Sequence, residues 1–234
     1  MTARNSSDHL LAVKPVAILV DGGFFLKRYS KCYKGGTAHD PQTVAKNMYT
    51  MLMSHVDKAR LYRILFYDCP PLDKKAHNPI TNKSIDFGKS SQANFRNEFH
   101  TELKKLRKVA LRMGYLKDNG GWLIKPGKTK ELLKGKAQVS DLQEHDVTFD
   151  IRQKGVDIKI GLDIASLAYK GLVDRIILVS GDADFVSAAK LARREGIDFI
   201  LDPMWKNIDT SLHEHVDGLK STCPRPSYQK AQRA

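Results

Sequence analysis

The chain has 234 residues and a formal net charge of +13, because 39 Lys and Arg residues stand against 26 Asp and Glu. This length can bury a substantial core, and so large a positive excess predicts a polyanionic partner, most often a nucleic acid, unless the basic surface only confers solubility. Three widely spaced cysteines without a C-x-x-C pair argue against a disulfide framework or a zinc site, and no apolar run approaches the roughly 18 residues of a membrane span, so we expect a cytoplasmic protein without membrane contact.

The first part of the chain predicts a strand, a helix and a second strand, after a flexible N-terminus of residues 1–13. The apolar run 16–20 in "PVAILVDGGFF" is continuous rather than alternating, which is typical of a parallel strand that is buried on both faces. An apolar stripe at helical spacing predicts a helix over "PQTVAKNMYTMLMSHV". The run 61–67 predicts the next strand, so the order is that of an α/β domain.

Residues 69–150 interrupt this alternation and carry much of the positive charge: between positions 68 and 140 there are 16 Lys and Arg against 7 Asp and Glu. Apolar residues at steps of three and four predict one long helix over residues 91–113, ended by Gly114. The turn signal Asn119-Gly120 between two short apolar arms predicts a hairpin. We interpret the segment as a basic helix-and-hairpin insertion.

After residue 150 the alternation returns. "VDIKIGLDIASLAYKG" alternates at first like a strand, but its length, its alanines and the terminal glycine favour a helix. "DRIILVS", "SAAKLARREG" and "IDFILD" then predict a strand, a helix and a strand. The fold class predicted for residues 14–219 is a three-layer α/β/α, Rossmann-like domain with a central, mostly parallel sheet, followed by a basic, flexible tail over 220–234.

Acidic residues follow the predicted strands at the place where open parallel sheets bind ligands, beyond the carboxyl ends. Asp21 ends the first strand, and Asp182 and Asp184 follow the strand at 176–179. If these strands are neighbours, the carboxylates converge, which is unfavourable unless protons or divalent cations relieve the repulsion. Oxygen ligands of this kind suit Mg²⁺ or Mn²⁺. The structural alternatives are a turn at Asp21 and a helix cap at Asp184.

Four further aspartates are weaker candidates. Asp157 and Asp163 lie six residues apart on the predicted helix, about 120° apart around its axis with about 9 Å of rise, so we do not expect them to ligate one ion together. Asp157, at the helix start, lies nearer the carboxyl edge of the sheet, whereas Asp163 is better placed to cap or orient another group. Asp68 and Asp202 also end strands, but the prolines beside them favour turns.

Three stretches, "VAILVDGGFF", "KGVDIKIGLDIASLAYKGLVDRIILVSGDADF" and "KLARREGIDFIL", resemble the NYN domain, specifically its LabA-like branch, within the PIN-like nuclease superfamily. The resemblance covers residues 14–67 and 150–219, and its KGVD and SGDxDF motifs are specific in combination but weak singly. It implies a fold similar to that of 5′-nucleases and a Mg²⁺- or Mn²⁺-dependent ribonuclease activity. The catalytic and metal-binding acids that it implies are Asp21, Asp157, Asp182 and Asp184, and Asp163 is a further metal candidate.

The sequence departs from the family pattern after Asp21. Many NYN proteins carry Asn a few residues later, where this chain has Gly22, Gly23 and Phe24. Loss of that polar group makes a catalytically silent RNA-binding or regulatory module the alternative to an active enzyme. The four acids favour the enzyme, because a mere binder gains nothing by concentrating negative charge near a polyanion. A phosphatase of the haloacid dehalogenase type needs Asp-x-Asp after the first strand, which "DGG" does not supply.

The predicted reaction is hydrolysis of RNA phosphodiester bonds, in which divalent ions acidify an attacking water and stabilise charge on the phosphoryl group. We expect the basic helix and the hairpin to bind the strand through phosphate contacts and base stacking, unless they only form a solvated face and a packed hairpin. The nucleic-acid-binding candidates are Lys104, Lys105, Arg107, Lys108, Arg112, Tyr115 and Trp122, with Lys154 and Lys159 beside Asp157 as further candidates. No residue singled out reads a 2′-hydroxyl, so DNA is not excluded, and a homo-oligomer stays open.

Overall fold

The computed structural model describes residues 15–56 and 60–226. In these residues the strands are, in chain order, β1 (Val16–Asp21), β2 (Leu61–Asp68), β3 (Lys75–His77), β4 (Ser84–Asp86), β5 (Val109–Met113), β6 (Tyr115–Ile124), β7 (Val147–Lys154), β8 (Arg175–Val179), β9 (Asp198–Asp202) and β10 (Gly218–Leu219). The α-helices are α1 (Gly22–Cys32), α2 (Pro41–Met53), α3 (Ser91–Lys105), α4 (Pro126–Leu133), α5 (Val156–Tyr169), α6 (Val186–Arg194) and α7 (Thr210–His213).

The central sheet is parallel, with the strand order β10-β9-β8-β1-β2-β5. From β1 the chain moves outward through β2 to β5, and it then returns to β8 on the other side of β1 and moves outward through β9 to β10. The direction of winding therefore reverses between β1 and β8. The carboxyl ends of these two strands form the topological switch point, where such sheets bind ligands.

Helices cover both faces of this sheet, as the predicted fold class requires. On one face, Ile18 and Val20 of β1 belong to a buried cluster with residues of α1, α2 and α3. On the other face, Ala17 and Leu19 pack in a second cluster with residues of α5, α6 and α7. Because β1 is covered on both sides, each of its residues from Val16 to Val20 is buried, which explains the continuous apolar run. The predicted three-layer α/β/α fold with a parallel sheet is confirmed.

The long helix predicted over residues 91–113 is wrong in its last third. The helix α3 ends at Lys105, and residues 109–113 form β5, which pairs with β2 at the edge of the central sheet. The turn between them includes Lys108 at φ +63°, a left-handed conformation that no helix continues. The apolar residues at 109, 111 and 113 alternate as in a strand, and those at 109 and 113 also have helical spacing. Both structures therefore fit the sequence, and pairing with β2 selects the strand.

The predicted hairpin around Asn119-Gly120 is also wrong. Residues 115–124 form the single strand β6, whose antiparallel partner is the distant strand β7. The register shifts between Asp118 and Trp122, so the glycines that suggested a turn lie at a bulge, with Gly120 at φ +76°. Because α3 and β5 belong to the helical layer and the central sheet, a helix-and-hairpin insertion over 69–150 is not confirmed.

The terminal predictions fall partly outside the described residues. The flexible N-terminus of residues 1–13 and the end of the tail, residues 227–234, lie outside them. The beginning of the tail is ordered: Thr222 donates to the Met51 carbonyl oxygen at 2.9 Å, and Cys223 accepts from Trp205 Nε1 at 2.8 Å. Among the helices of residues 15–56 and 60–226, none is long and apolar enough to cross a bilayer.

Candidate active site

Asp21 is both the last residue of β1 and the N-cap of α1. Its side chain accepts a hydrogen bond from the Phe24 backbone N–H at 3.0 Å, which satisfies one of the free donors of the first helical turn. Gly22 lets the helix begin this close to β2, because a Cβ atom there would lie 2.6 Å from the Tyr67 carbonyl oxygen. The Asp21 carboxylate is thereby fixed at the carboxyl end of the central strand, next to β8.

The loop after β8 carries the next two acids. Asp182 and Asp184 are both exposed, and Asp182 Oδ1 accepts a hydrogen bond from the Asp184 backbone N–H at 3.1 Å. Ser180, fully buried at the end of β8, donates its hydroxyl to Asp21 Oδ2 at 3.5 Å. The last residue of β1 and the residue after β8 are therefore in contact across the switch point.

The fourth acid reaches the same place from the helical layer. Asp157 lies in the first turn of α5, where its negative charge suits the positive end of the helix dipole. The helix begins at Val156, directly after Gly155, whose φ of +81° lies in the left-handed region that favours glycine. The sharp turn from β7 into α5 thus sets the position of Asp157.

The four carboxylates influence one another electrostatically. Burial raises the pKa of Asp21 above its usual range, and the charges of Asp157 and Asp182 raise it further, against backbone hydrogen bonds that lower it. Burial also raises the pKa of Asp157, followed by the charges of Asp182 and Asp184. The four acids that the sequence analysis selected thus lie near enough to interact electrostatically, and a cation would relieve their mutual repulsion.

Asp21, Asp157 and Asp182 line a cleft of about 360 Å³ at the switch point. Two lysines that the sequence analysis missed, Lys27 of α1 and Lys206 after β9, line the same cleft. The cleft therefore combines carboxylates that can hold a divalent cation with ammonium groups that can attract a phosphate. No local sequence pattern indicates that Lys206 lies at the cleft. Lys27 was missed because the two glycines after Asp21 suggested a turn, whereas α1 begins at Gly22.

A comparison with protein-family models gives one match, to the NYN domain, over residues 79–217, more than half of the chain. The chain belongs to the NYN domain family. NYN domains form part of the PIN-like nuclease superfamily. No curated protein matches the sequence.

The segment matched to the NYN domain contains Asp157, Asp182 and Asp184, whereas Asp21 precedes it and joins these acids through the pairing of β1 with β8. The match also begins later than the resemblance suggested, and it includes α3 and β5. Assignment to the LabA-like branch stays a prediction.

Phe24, the apolar residue that departs from the NYN pattern, forms part of the cleft wall. Its ring packs on Gly181, where an added Cβ atom would lie 2.8 Å from Phe24 Cε2. Lys206 Nζ lies 5.7 Å from the centre of the same ring and donates a hydrogen bond to the Gly181 carbonyl oxygen at 3.1 Å. Phe24 thus supports Lys206 at the cleft.

Asp163 does not join the acids of this NYN domain. Arg112 on β5 donates two hydrogen bonds to its carboxylate, at 2.9 and 3.0 Å, and the Tyr67 hydroxyl donates a third at 2.7 Å. Asp163 therefore ties α5 to the edge of the sheet, in agreement with the orienting role considered for it. The same contact engages Arg112, which was predicted to bind nucleic acid, in a bidentate ion pair within the protein.

Asp202 has the turn-forming role expected for it, because its Oδ1 atom accepts a hydrogen bond from the Met204 backbone N–H at 2.8 Å, whereas the Asp68 side chain binds residues of α3 instead. Both side chains are fully buried, and each has a histidine partner: His100 Nε2 donates to Asp68 at 2.9 Å, and His55 Nε2 donates to Asp202 at 2.9 Å. Asp68 also forms an ion pair with Arg96 of α3. These acids hold helices against the ends of β2 and β9, and burial of a carboxylate requires such partners.

The basic residues around the end of α3 lie at the other edge of the sheet. Because α3 leads into the first residues of β5, Lys104, Lys105 and Arg107 lie near the amino ends of the parallel strands, opposite the acidic cleft. The Lys108 ammonium group donates a hydrogen bond to the carbonyl oxygen of Leu61, the first residue of β2. The fold therefore separates this basic group from the acids.

The remaining nucleic-acid-binding candidates lie on or beside the β6–β7 pair. Trp122 packs edge-on against Phe149, with 5.4 Å between ring centres, as the packing alternative requires. Tyr115, 60% exposed, and the exposed Lys154 lie opposite each other where this pair meets α5. Lys159 is exposed in the first turns of α5. These last three side chains are exposed to solvent.

The donor set of the cleft fits Mg²⁺ or Mn²⁺. All four candidate ligands are carboxylates, the donors that these hard cations prefer. Across residues 15–56 and 60–226, no three His, Cys, Asp or Glu side chains lie close enough to enclose an ion by themselves. A cation in the cleft would therefore need water or substrate oxygens to complete its coordination, as is common for Mg²⁺.

Proposed function

We propose that this NYN domain is a divalent-metal-dependent ribonuclease that hydrolyses RNA phosphodiester bonds. The observation that carries the proposal is the convergence of Asp21, Asp157 and Asp182 on one cleft at the switch point of a parallel sheet. Burial and mutual repulsion raise the pKa of Asp21 and Asp157, so the carboxylates are held in an arrangement that a cation stabilises. Membership of the PIN-like nuclease superfamily supports the same reaction class.

The acids of the cleft would bind the cation, and its lysines would bind the substrate. Asp21, Asp157, Asp182 and Asp184 would hold Mg²⁺ or Mn²⁺. When bound, such an ion lowers the pKa of an attacking water and stabilises negative charge on the phosphoryl group. Lys27 and Lys206 attract the phosphate that is to be cleaved and hold it against the acids. The expected products carry 5′-phosphate and 3′-hydroxyl ends.

Cleavage of RNA should depend on the divalent ion. We expect purified protein to cut labelled RNA in Mg²⁺ or Mn²⁺ and to lose this activity in excess EDTA, with recovery when the ion is restored. Denaturing gel electrophoresis of single-stranded and structured substrates measures the products and their end groups. Activity that survives chelation would rule out the metal-dependent mechanism, and tight RNA binding without cleavage in either ion would favour the catalytically silent module.

The cations of the cleft, rather than the basic end of α3, should contribute the salt-dependent part of RNA binding. The double substitution of Lys27 and Lys206 by Ala should weaken binding about tenfold at low salt. It should also lower the slope of log K against log salt by about 1.4, because each phosphate contact to a single strand contributes about 0.7. Fluorescence anisotropy in EDTA over a range of NaCl concentrations measures both quantities.

The matched control replaces Lys104 and Lys105, which lie at the amino edge of the sheet. This double alanine variant removes the same formal charge and should leave the slope unchanged. If the control lowers the slope while the Lys27 and Lys206 variant does not, the RNA runs along the amino edge and the proposed path is wrong.

A further inference from the structure

A second pocket, of about 190 Å³, lies beside the acidic cleft. Its walls come from the loop after β2, the start of α3 and the β6–β7 pair, and most of its lining is apolar. Exposed amide side chains lie at its solvent side. The residues that matter for its chemistry are Phe87, Ala93, Leu116 and Ile151 on the apolar side, and Gln92 and Gln153 on the polar side.

The pocket and the acidic cleft have one lining residue in common. Gln153, near the end of β7, lines both. Its Oε1 atom lies 3.6 Å from the point where Gly23 would carry a Cβ atom, and Asp21 Oδ1 lies 3.5 Å from that same point. A group bound in the pocket therefore lies next to a phosphate bound at the acids.

The walls of the pocket are held in place by contacts behind them. The Phe87 ring lies 5.2 Å from the Phe149 ring and 6.4 Å from the Trp122 ring, centre to centre, so it is fixed in an aromatic cluster. Arg96, on the opposite wall, forms its ion pair with the buried Asp68. Preformed concave sites with an apolar lining and a few fixed polar groups are typical binding sites for flat organic ligands.

We propose that this pocket binds the base of the nucleotide next to the scissile phosphate, and that the substrate is therefore an unstacked, single-stranded RNA. The proposal rests on the proposed function, because the acids define where the phosphate lies. Phe87 offers a surface on which a base can stack, and the amides of Gln92 and Gln153 offer donors and acceptors to its edge. A base inside a duplex is stacked on its neighbours and cannot enter such a pocket.

The groove continues away from the acids. A larger pocket, of about 420 Å³, shares Gln92 and Arg96 with the base pocket and is also lined by Leu26, Tyr29 and Phe95. The acidic cleft and the base pocket therefore share Gln153, and the base pocket and this larger pocket share Gln92 and Arg96. This arrangement fits an RNA single strand in which the base after the one in the base pocket occupies the larger pocket.

The proposal is tested first by binding in EDTA, where cleavage plays no part. Wild-type protein should bind a short single-stranded RNA about tenfold more tightly than an abasic strand with the same backbone and length, because the abasic strand lacks the base that stacks on an aromatic side chain. It should also bind the single strand more tightly than the same sequence in a duplex. Equal affinity for the normal and abasic strands would overturn the base pocket.

A filled pocket provides the second test. Leu116→Trp places a large ring in the base pocket and should reduce the preference for the normal strand over the abasic strand to less than about twofold. The control is Leu123→Trp, the same substitution at a residue on β6 that is 48% exposed, and it should keep the wild-type preference. Circular dichroism checks that both variants fold, and retention of the preference by folded Leu116→Trp would overturn the assignment.

Failure of the base pocket can be told apart from failure of the proposed function. Bis(p-nitrophenyl) phosphate is a phosphodiester without a nucleobase, so its hydrolysis in Mn²⁺ reports on the acids alone. Wild type and the control Leu123→Trp should hydrolyse it at the same rate, and Leu116→Trp should cut RNA more slowly than either. If wild type hydrolyses neither substrate yet prefers the normal strand in EDTA, the ribonuclease proposal fails and the base pocket is supported. If wild type hydrolyses both substrates but binds the normal and abasic strands equally, the base pocket fails and the ribonuclease proposal is supported.

Discussion

Asp182→Asn is expected to lower the rate of RNA cleavage in saturating Mg²⁺ by about a thousandfold. The charge of Asp182 is one of those that raise the pKa of Asp21 and Asp157, which places it among the carboxylates that a cation would meet. Loss of one charged ligand removes several kcal/mol of stabilisation from a phosphoryl group that gains charge. The fold should persist, because the amide oxygen of Asn can still accept the hydrogen bond from the Asp184 N–H.

The control for this variant is Asp163→Asn. Asp163 lies on α5, as Asp157 does, but its carboxylate is engaged by Arg112 and Tyr67 rather than by the cleft. We expect this variant to cut RNA within about twofold of the wild-type rate, with at most a modest loss of stability. Single-turnover rates at saturating enzyme measure both variants. Equal losses at positions 182 and 163 would show that the acids act through the fold and not at the reacting phosphate.

Asp68→Ala is expected to lower the free energy of unfolding by about 3–5 kcal/mol. Asp68 is fully buried, and its removal leaves the Arg96 guanidinium and His100 without the carboxylate that compensates their burial. Breaking a buried ion pair by removing one partner has an effect of this size, because an uncompensated charge remains inside. In a chain of this length, the unfolding temperature should fall by about 6–20 °C.

A surface ion pair of the same type serves as the comparison. Asp198 pairs with Arg175 at 2.5 Å, but the two side chains are 37% and 42% exposed. Asp198→Ala should therefore lower the free energy of unfolding by less than about 1 kcal/mol. Urea titration followed by circular dichroism measures both variants. If the two substitutions have equal effects, the burial of Asp68 does not stabilise the packing of α3 on β2.

The elements that the sequence predicts well are those whose pattern has a single interpretation. The helix α5 and the strands β1, β2, β8 and β9 were located within one or two residues, because their apolar runs have the length and end signals of one structure only. The apolar pattern at the end of the 91–113 segment fits a helix and a strand equally well. It forms a strand because it pairs with β2. A pairing between distant segments has no local signal, which is also why β7 was missed as the partner of β6.

For the candidate site, the sequence supplied the acids but not their surroundings. The spacing on α5 separated Asp157 from Asp163 correctly, because helix geometry alone decides which of them lies at the carboxyl edge. Lys206 and Gln153 come from segments whose position at the cleft depends on how β9 and β7 end. The burial of Asp68 was missed because its partners, Arg96 and His100, lie on a helix that follows a long loop.

The strand order also determines when the site can exist. Asp21 and Asp182 lie far apart in the sequence, yet β1 and β8 are adjacent at the centre of the sheet. A polypeptide that ends before β8 contains Asp21 and Asp157 but has no switch point at which to assemble them. Closing so distant a contact comes with a large loop-closure entropy, so the acids meet only when the whole sheet has folded. Under the proposed function, affinity for a divalent ion should therefore appear only once β1 and β8 have paired.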